Sequence, residues 1–218
     1  CVLKPLKVVI TNYPEEKREN FQPASHPKNP EMGTRKVPFS REIYIDHDDF
    51  REDPPPNYFR LAPGKEVRLR YAYVIRCNEV IYDKRGGISE LHCTYDSATR
   101  SGAKAEGRKV KGIIHWVSAK DSVKVEVRLY DRLFAKPIPG SDDPEGNFLN
   151  DINRDSIEIL SKCQIESETI TSTNQEVFQF ERLGYFYPDP VDSHAEAMVF
   201  NRTVTLRDTW AILEQEQN

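Results

Sequence analysis

The sequence predicts an all-β protein made of two small β-barrels, one inserted into the other, with little helix. Strand-forming runs dominate, several of them alternate apolar and polar residues, and sustained helical periodicity is nearly absent. Many short strands in compact blocks favour closed barrels, because closure removes exposed sheet edges. The predicted strands are Val8–Ile10, Glu42–Asp46, Val67–Ile75, Ile88–Tyr95, Val110–Val117, Val123–Tyr130, Val177–Glu181 and Val199–Leu206.

The alternation is clearest between residues 67 and 75, where every second residue from Val67 onward is apolar. Tyr71 and Tyr73 then lie on the apolar face, and we expect both in the core. Arg68 and Arg70 share the opposite, solvent-facing side. Residues 123–130 show the same pattern.

Two short helices are expected outside the strands. One covers Asp155–Lys162, capped by Asn153 or Asp155, and the other follows Trp210. The polar segments 12–38 and 98–108 are predicted to be long loops, and Gly86-Gly87 a hairpin turn.

Proline clusters divide the chain into three segments. Pro54-Pro55-Pro56 and the stretch from Pro137 to Gly146 are places where sheet pairing must stop. We therefore predict a first barrel formed by residues 1–53 and 137–218, with a second barrel, residues 54–136, inserted between them.

The composition indicates the class of protein. Of 218 residues, 38% are hydrophobic and 30% charged, with fifteen prolines and no apolar run of bilayer length, which is typical of a soluble, turn-rich protein. The chain opens on Cys1 without a signal-peptide pattern, and we interpret this start as a boundary within a longer protein. Four scattered cysteines without a C-x-x-C pair argue against a disulfide framework or zinc site and favour a reducing cytoplasm.

No catalytic or metal site is predicted. The densest acidic cluster, Asp46–Asp49 with Glu52 and Asp53, lacks a recognised ligand spacing, so we interpret it as a solvated strand end and expect no metal. The chain has no nucleophile elbow and no phosphate-binding glycine loop.

A local cluster of arginines favours nucleic-acid binding, although the net charge of the chain is -4. Arg60, Arg68 and Arg70 lie close together, and Arg68 and Arg70 are two residues apart on one strand face, a separation of roughly 6 to 7 Å that suits two guanidinium groups binding one base and its phosphate. Tyr58 or Phe59 next to Arg60 could stack on a base. From spacing alone, an ordinary solvated strand face remains the alternative.

Longer motifs carry a family resemblance. They are His26-Pro27, Pro30–Gly33, Val37–Ser40, Gly64–Arg70, Lys109–Ser118, Arg128–Phe134, Phe178–Arg182, Phe200–Val204 and Leu206–Ala211. In this order the chain resembles, over almost its whole length, the C-terminal, anticodon-binding half of the glutaminyl-tRNA synthetases. The resemblance implies two β-barrels that hold the anticodon loop.

The resemblance also assigns roles to single residues. Arg68 and Arg70 match the family arginines that read the first anticodon base, and Arg60 matches the one that reads the third. Gln179 and Glu181, on one face of a predicted strand, match the pair that contacts the central uracil.

Three departures accompany this match. Phe59 stands where the family usually has a lysine beside the third-base arginine, and Asn57 stands where it has a glutamine. A further family arginine for the central base belongs upstream of Cys1.

The implied partners are the anticodon loop of tRNA(Gln) and a class I catalytic domain upstream in the same, monomeric, cytoplasmic protein. That domain would use ATP with Mg²⁺ to activate glutamine. The HIGH and KMSKS-type signatures of such a domain are absent from this sequence, so no cofactor is expected here and the chain by itself should not aminoacylate.

Two alternatives remain open. One is the corresponding region of a eukaryotic- or archaeal-type glutamyl-tRNA synthetase. The other is a stand-alone barrel that binds single strands or oligosaccharides.

Overall fold

The computed structural model describes residues 1–101, 110–171, 176–194 and 196–206. Within them it contains fourteen strands and only short helices, which confirms the all-β prediction. The strands are β1 (Pro5–Ile10), β2 (Glu19–Phe21), β3 (Val37–Phe39), β4 (Glu42–Asp46), β5 (Glu66–Leu69), β6 (Val74–Tyr82), β7 (Ile88–Asp96), β8 (Ile113–Ile114), β9 (Trp116–Ser118), β10 (Val123–Tyr130), β11 (Ile157–Ile165), β12 (Phe178–Phe180), β13 (Gly184–Pro188) and β14 (Val199–Val204). The helices are α1 (Glu168–Thr171) and the 3-10 helices η1 (Pro30–Met32), η2 (His47–Asp49), η3 (Ser97–Thr99) and η4 (Phe148–Asp151).

The chain forms two compact units. The first comprises Cys1–Lys124 and Lys162–Thr173, and the second comprises Val125–Ser161 and Asn174–Asn218. This division differs from the predicted boundaries at 53/54 and 136/137, because β1 and β4 lie in the same sheet as β5, β6 and β7. Pro54-Pro55-Pro56 interrupts pairing only locally, as a connection between two strands of one sheet.

The first unit contains a seven-stranded sheet in the order β8-β5-β6-β7-β1-β4-β9. Its two outermost strands, β8 and β9, are separated along the chain only by His115. The two ends of the sheet must therefore meet, and the sheet curls into a nearly closed barrel.

The pairing that joins the two halves of this sheet is long-range. β1 runs parallel to β7, with Val8 opposite Leu91, and antiparallel to β4, with Val8 opposite Ile43. β1 alternates half-buried and buried residues, because every second side chain points into the barrel. β6 and β7 form a long hairpin, and its turn at Gly86-Gly87 is confirmed by the hydrogen bond from Asp83 N to Gly87 O.

Aromatic rings fill one side of the barrel core. Phe39 packs edge-on against Tyr13 and Trp116 at centroid distances of 5.1 and 5.0 Å, and Tyr73 lies 5.5 Å away. Edge-to-face contacts of this kind add about 0.5 to 1.5 kcal/mol each beyond the area they bury. Phe21 connects the cluster to β2 through Tyr73.

A carboxylate is placed at the edge of this cluster. The hydroxyls of Tyr13 and Tyr73 both donate to Glu19 Oε2 at 2.8 Å. Burial works to raise the pKa of Glu19, but the two donated hydrogen bonds and Lys17 outweigh it and hold the pKa below its usual value. Burial, followed by the bond to Glu19, raises the pKa of Tyr73 to about 12.

The second unit contains a five-stranded sheet in the order β11-β10-β14-β13-β12. Its core includes Phe180, which stacks on Phe186 at 4.3 Å and contacts Phe200 at 5.4 Å. The first residue of β13 must be glycine, because Gly184 has a φ of 145° and a Cβ there would lie 2.4 Å from Val204 O of β14.

The helix predicted at Asp155–Lys162 is wrong, because these residues belong largely to β11. Asn153 does act as a cap, but of a turn: its Oδ1 accepts from Asp155 N at 3.1 Å, and the chain then enters the sheet beside β10. The helix predicted after Trp210 lies outside the described residues. The segment 12–38, predicted as a loop, contains β2 and η1 and reaches β3.

None of the helices in the described part of the chain is long and apolar enough to cross a membrane.

The raised pKa of Tyr73 predicts alkaline destabilisation. A group whose pKa is higher in the folded than in the unfolded state favours folding fully below the unfolded value, near 10, and loses that contribution as the pH rises to about 12. We expect the urea midpoint of the chain to fall across this window, and to fall less for Tyr73→Phe, which cannot ionise there. Equal losses in both proteins between pH 10 and 12 would contradict the assignment.

Candidate nucleic-acid interface

Arg68 and Arg70 lie on one side of β5, as predicted. Val67 and Leu69 are fully buried, whereas the two arginines between and after them are half-exposed. Arg68 Nη1 donates to Thr99 O at 2.8 Å. β5 ends at Leu69, but Arg70 N still donates to Ile114 O at 3.0 Å, so the ladder with β8 holds the backbone of Arg70.

The strand predicted to run through to Ile75 is broken at this point. Residues 70–73 form a tight turn in which Leu69 N donates to Tyr73 O at 2.8 Å, and β6 begins at Val74. Tyr73 is buried, in agreement with the core prediction. Tyr71 is not a core residue: it is half-buried and adopts a φ of 63°, a conformation that costs a bulky residue about 1 to 3 kcal/mol.

Two guanidinium groups lie near the ring of Tyr71. The centroid is 5.0 Å from Arg70 Cζ and 5.5 Å from Arg35 Cζ, within the range of cation–π contacts. Arg35 is itself fixed, because its Nε donates to Glu166 Oε2 at 2.8 Å and its Nη1 to Ala24 O at 2.9 Å.

Arg60 lies in a different part of the same unit, at a cleft of about 750 Å³. Its Nη1 is 3.0 Å from the Oδ1 of Asp49, which is 1% exposed, and it also donates to Asp48 O at 3.0 Å. The cleft is lined by His47, Asp48, Phe50, Arg51, Pro55, Pro56, Asn57, Tyr58 and Arg60. The buried carboxylate therefore fixes the guanidinium at the edge of a space large enough for a nucleotide base.

The two aromatic residues beside Arg60 differ in setting. Tyr58 is half-buried, its hydroxyl donates to Asp48 O at 3.3 Å, and burial raises its pKa. Phe59 is 50% exposed, and Lys111 Nζ lies 5.2 Å from its ring centroid. Phe59 therefore presents a ring to solvent with a cation over it.

Gly112 makes this arrangement possible. A Cβ at Gly112 would lie 2.0 Å from Phe59 O, so only glycine lets the segment before β8 approach residue 59 so closely. Arg68 N donates to Gly112 O at 3.0 Å, which links the same segment to β5.

The acidic cluster at residues 46–53 has structural roles. Asp46 caps η2, with Oδ1 accepting from Asp48 N at 3.1 Å and Oδ2 from Leu3 N at 3.1 Å. Asp49 forms the ion pair with Arg60.

Gln179 and Glu181 belong to the second unit. Gln179 lies in β12, is exposed and faces Tyr185 of β13. Glu181 follows the strand, in the turn where Arg182 has a φ of 65°. The prediction that Gln179 and Glu181 share one strand thus holds only for Gln179.

The described structure brings Arg60, Arg68 and Arg70 into one unit and places Gln179 and Glu181 in the other. Sequence reasoning missed Arg35, Arg100 and Lys111 beside the aromatic rings, because each is distant in sequence from the ring that it contacts.

Two family models match the chain, over residues 1–96 and 113–189, and both describe "tRNA synthetases class I (E and Q), anti-codon binding domain". The chain belongs to this family of anticodon-binding domains. The arginines and aromatic rings described above therefore lie in a domain whose family binds an anticodon.

Curated relatives agree with this assignment. The chain is 56% identical over 210 residues to the glutamine--tRNA ligase of Stutzerimonas stutzeri (strain A1501), 57% identical to that of Ectopseudomonas mendocina (strain ymp) and 56% identical to that of Azotobacter vinelandii (strain DJ / ATCC BAA-1303). Each match covers 96% of this chain but 38% of the relative. The chain thus spans well under half the length of these relatives.

The Arg60–Asp49 pair predicts a stability cost that must be separated from any effect on RNA. Arg60→Ala removes the cation that faces a buried carboxylate, and we expect a loss of about 1 to 3 kcal/mol in the free energy of unfolding. Adding Asp49→Asn should restore part of that loss, because it removes the charge. Arg85→Ala, at an exposed arginine in the β6–β7 turn, serves as the control and should change stability little. Urea unfolding of the wild type, Arg60→Ala, Asp49→Asn and the double variant measures the coupling, and additive losses from the two substitutions would contradict it.

Proposed function

We propose that this chain reads the anticodon of tRNA(Gln) as part of a glutamine--tRNA ligase. The observation that carries the proposal is the placement of two half-exposed arginines, Arg68 in β5 and Arg70 directly after it, on one side of the chain in a member of the anticodon-binding family. The relatives that match at 54% to 57% identity are all named glutamine--tRNA ligases, which favours glutamine over glutamate.

The recognition follows from the chemistry of unpaired bases. Anticodon bases are splayed out of their stack, and their Watson–Crick edges are read by side-chain donors and acceptors. In this scheme Arg68 and Arg70 bind the first base, Arg60 the third, and Gln179 with Glu181 the central uracil. A wrong base would leave buried polar groups unpaired, which is how such a pocket discriminates.

The setting of each arginine suits this role. Arg68 and Arg60 donate to the carbonyl oxygens of Thr99 and Asp48, which position the guanidinium planes and leave other N–H groups for a ligand. Asp49 holds Arg60 in a defined orientation, so little conformational entropy is lost when a base binds.

ATP and Mg²⁺ belong, in this proposal, to a catalytic domain in the part of the ligase that this chain does not span. The chain's own residues bind and orient the anticodon in a monomeric, cytoplasmic enzyme. A glutamyl-tRNA synthetase would use the same family of domains, and charging of full-length protein with each amino acid distinguishes the two.

Base reading by the arginines predicts position-specific losses. In the full-length ligase, Arg68→Ala or Arg70→Ala should lower discrimination at the first anticodon base, and Arg60→Ala at the third, by about 1 to 3 kcal/mol, a factor of about 5 to 150 in kcat/KM. The measurement is charging of tRNAs altered at each anticodon position, with Arg85→Ala as the control. Equal losses on every tRNA, with a shallower salt dependence, would reduce the arginines to phosphate contacts.

The division of labour predicts that the 218-residue chain neither forms glutaminyl adenylate nor charges tRNA. The assay is glutamine-dependent exchange of pyrophosphate into ATP, with full-length ligase as the positive control. A full-length ligase inactivated in its active site serves as the negative control. Exchange by the chain above the level of this control would overturn the assignment.

A further inference from the structure

A cleft of about 400 Å³ opens beside Tyr71 in the first unit. It is lined by Asn20, Phe21, Gln22, Pro23, Tyr71, Arg100 and Ser101. Asn20 and Gln22 contribute amide donors and acceptors, Tyr71 a ring and Arg100 a guanidinium. This combination suits a flat heteroaromatic group that carries a phosphate.

The ring of Tyr71 is held in place before any ligand arrives. Arg70 and Arg35 lie 5.0 and 5.5 Å from its centroid, and Glu166 and the carbonyl of Ala24 fix Arg35. Trp116, which is buried in the barrel core, donates a hydrogen bond of 2.8 Å from its Nε1 to the carbonyl oxygen of Arg70. A ring fixed in this way loses little side-chain entropy when a base stacks on it.

The backbone of the turn is also unusual for this residue. Tyr71 adopts a φ of 63°, which glycine or asparagine would adopt more easily than tyrosine. The turn is held by hydrogen bonds from Ala72 N to Leu69 O and from Ser101 N to Ala72 O. A non-glycine residue in such a conformation costs about 1 to 3 kcal/mol, and strain of this kind clusters at ligand-binding sites.

Arg100 is positioned on the other side of the cleft. Its Cζ lies 5.2 Å from the ring centroid of Phe21, and its Nε is 3.8 Å from Glu19 Oε1. Its side chain is nevertheless 48% exposed, so the guanidinium can reach a phosphate at the mouth of the cleft.

We propose that Tyr71 is a stacking platform for the first anticodon base, with Arg35 and Arg70 as positioning residues for its ring and Arg100 as a phosphate contact. The inference rests on the proposed function. It adds residues to which the family resemblance assigns no role. Arg68 and Arg70 read the edge of the base, and Tyr71 binds its face.

The test uses the 218-residue chain and two anticodon stem-loops, one with the anticodon CUG and one that lacks only the first base. Binding is measured for wild type, Tyr71→Phe and Tyr71→Asn. Phenylalanine keeps the ring, whereas asparagine removes it and accepts the left-handed backbone. The urea midpoint of Tyr71→Asn should be no more than slightly below that of wild type, so that a loss of binding does not reflect unfolding.

On the intact stem-loop, Tyr71→Asn should raise Kd by about 5- to 150-fold, the range for loss of one base–aromatic stack, while Tyr71→Phe stays within about twofold of wild type. On the stem-loop without the first base, all three proteins should bind alike, because there is nothing to stack. Arg100→Ala should weaken both stem-loops equally and lower the salt dependence of Kd.

The outcomes separate the two hypotheses. If Tyr71→Asn binds the intact stem-loop as well as wild type does, or loses affinity equally for both stem-loops, then the ring has only a structural role and the stacking proposal is rejected, while anticodon binding stands. If wild type does not distinguish the CUG stem-loop from one of unrelated loop sequence, the proposed function itself fails.

Discussion

The first unit depends on the aromatic cluster around Phe39. This ring contacts Tyr13, Tyr73 and Trp116 at centroid distances between 5.0 and 5.5 Å, and so joins β3 to the loop after β1, to the turn before β6 and to β9. The cluster also reaches the candidate interface, since Trp116 Nε1 donates to Arg70 O and Tyr73 closes the turn that presents Tyr71. A substitution in this core would therefore disturb the interface even though no core ring is exposed to RNA.

The arginines of this chain differ in how far their partners compensate the positive charge of the guanidinium. Arg128, in the second unit, lies 2.6 Å from Asp192 and 2.8 Å from Glu126, and these carboxylates raise its pKa. Arg68 instead donates to the carbonyl of Thr99. A carbonyl orients a guanidinium without neutralising it, so Arg68 keeps more of its charge for a phosphate or a base edge. Arg60 faces both the carbonyl of Asp48 and the carboxylate of Asp49, which compensates part of its charge. Net charge does not reveal this distinction.

The structure gives a physical account of one departure from the family pattern. Phe59 stands where the family usually has a lysine, and Lys111 places a cation 5.2 Å from the centre of its ring. Gly112 permits the close approach on which this depends. Cation and apolar surface are thus both present near Arg60, although they come from segments about fifty residues apart. Asn57, the second departure, has a φ of 67°, which asparagine tolerates better than the glutamine it replaces.

The sequence by itself determined the all-β class, the bounds of β4 and β10, and the sharing of one side by Arg68 and Arg70. Each follows from alternation between neighbouring residues, because a strand with one buried face imposes a period of two. Only the tertiary structure decided that residues 157–165 form a strand, that the chain turns at Tyr71, and that β1 pairs with β7. These features depend on hydrogen-bond partners in other strands, in the case of β1 and β7 some eighty residues apart, and local sequence carries little information about which distant strand completes a sheet.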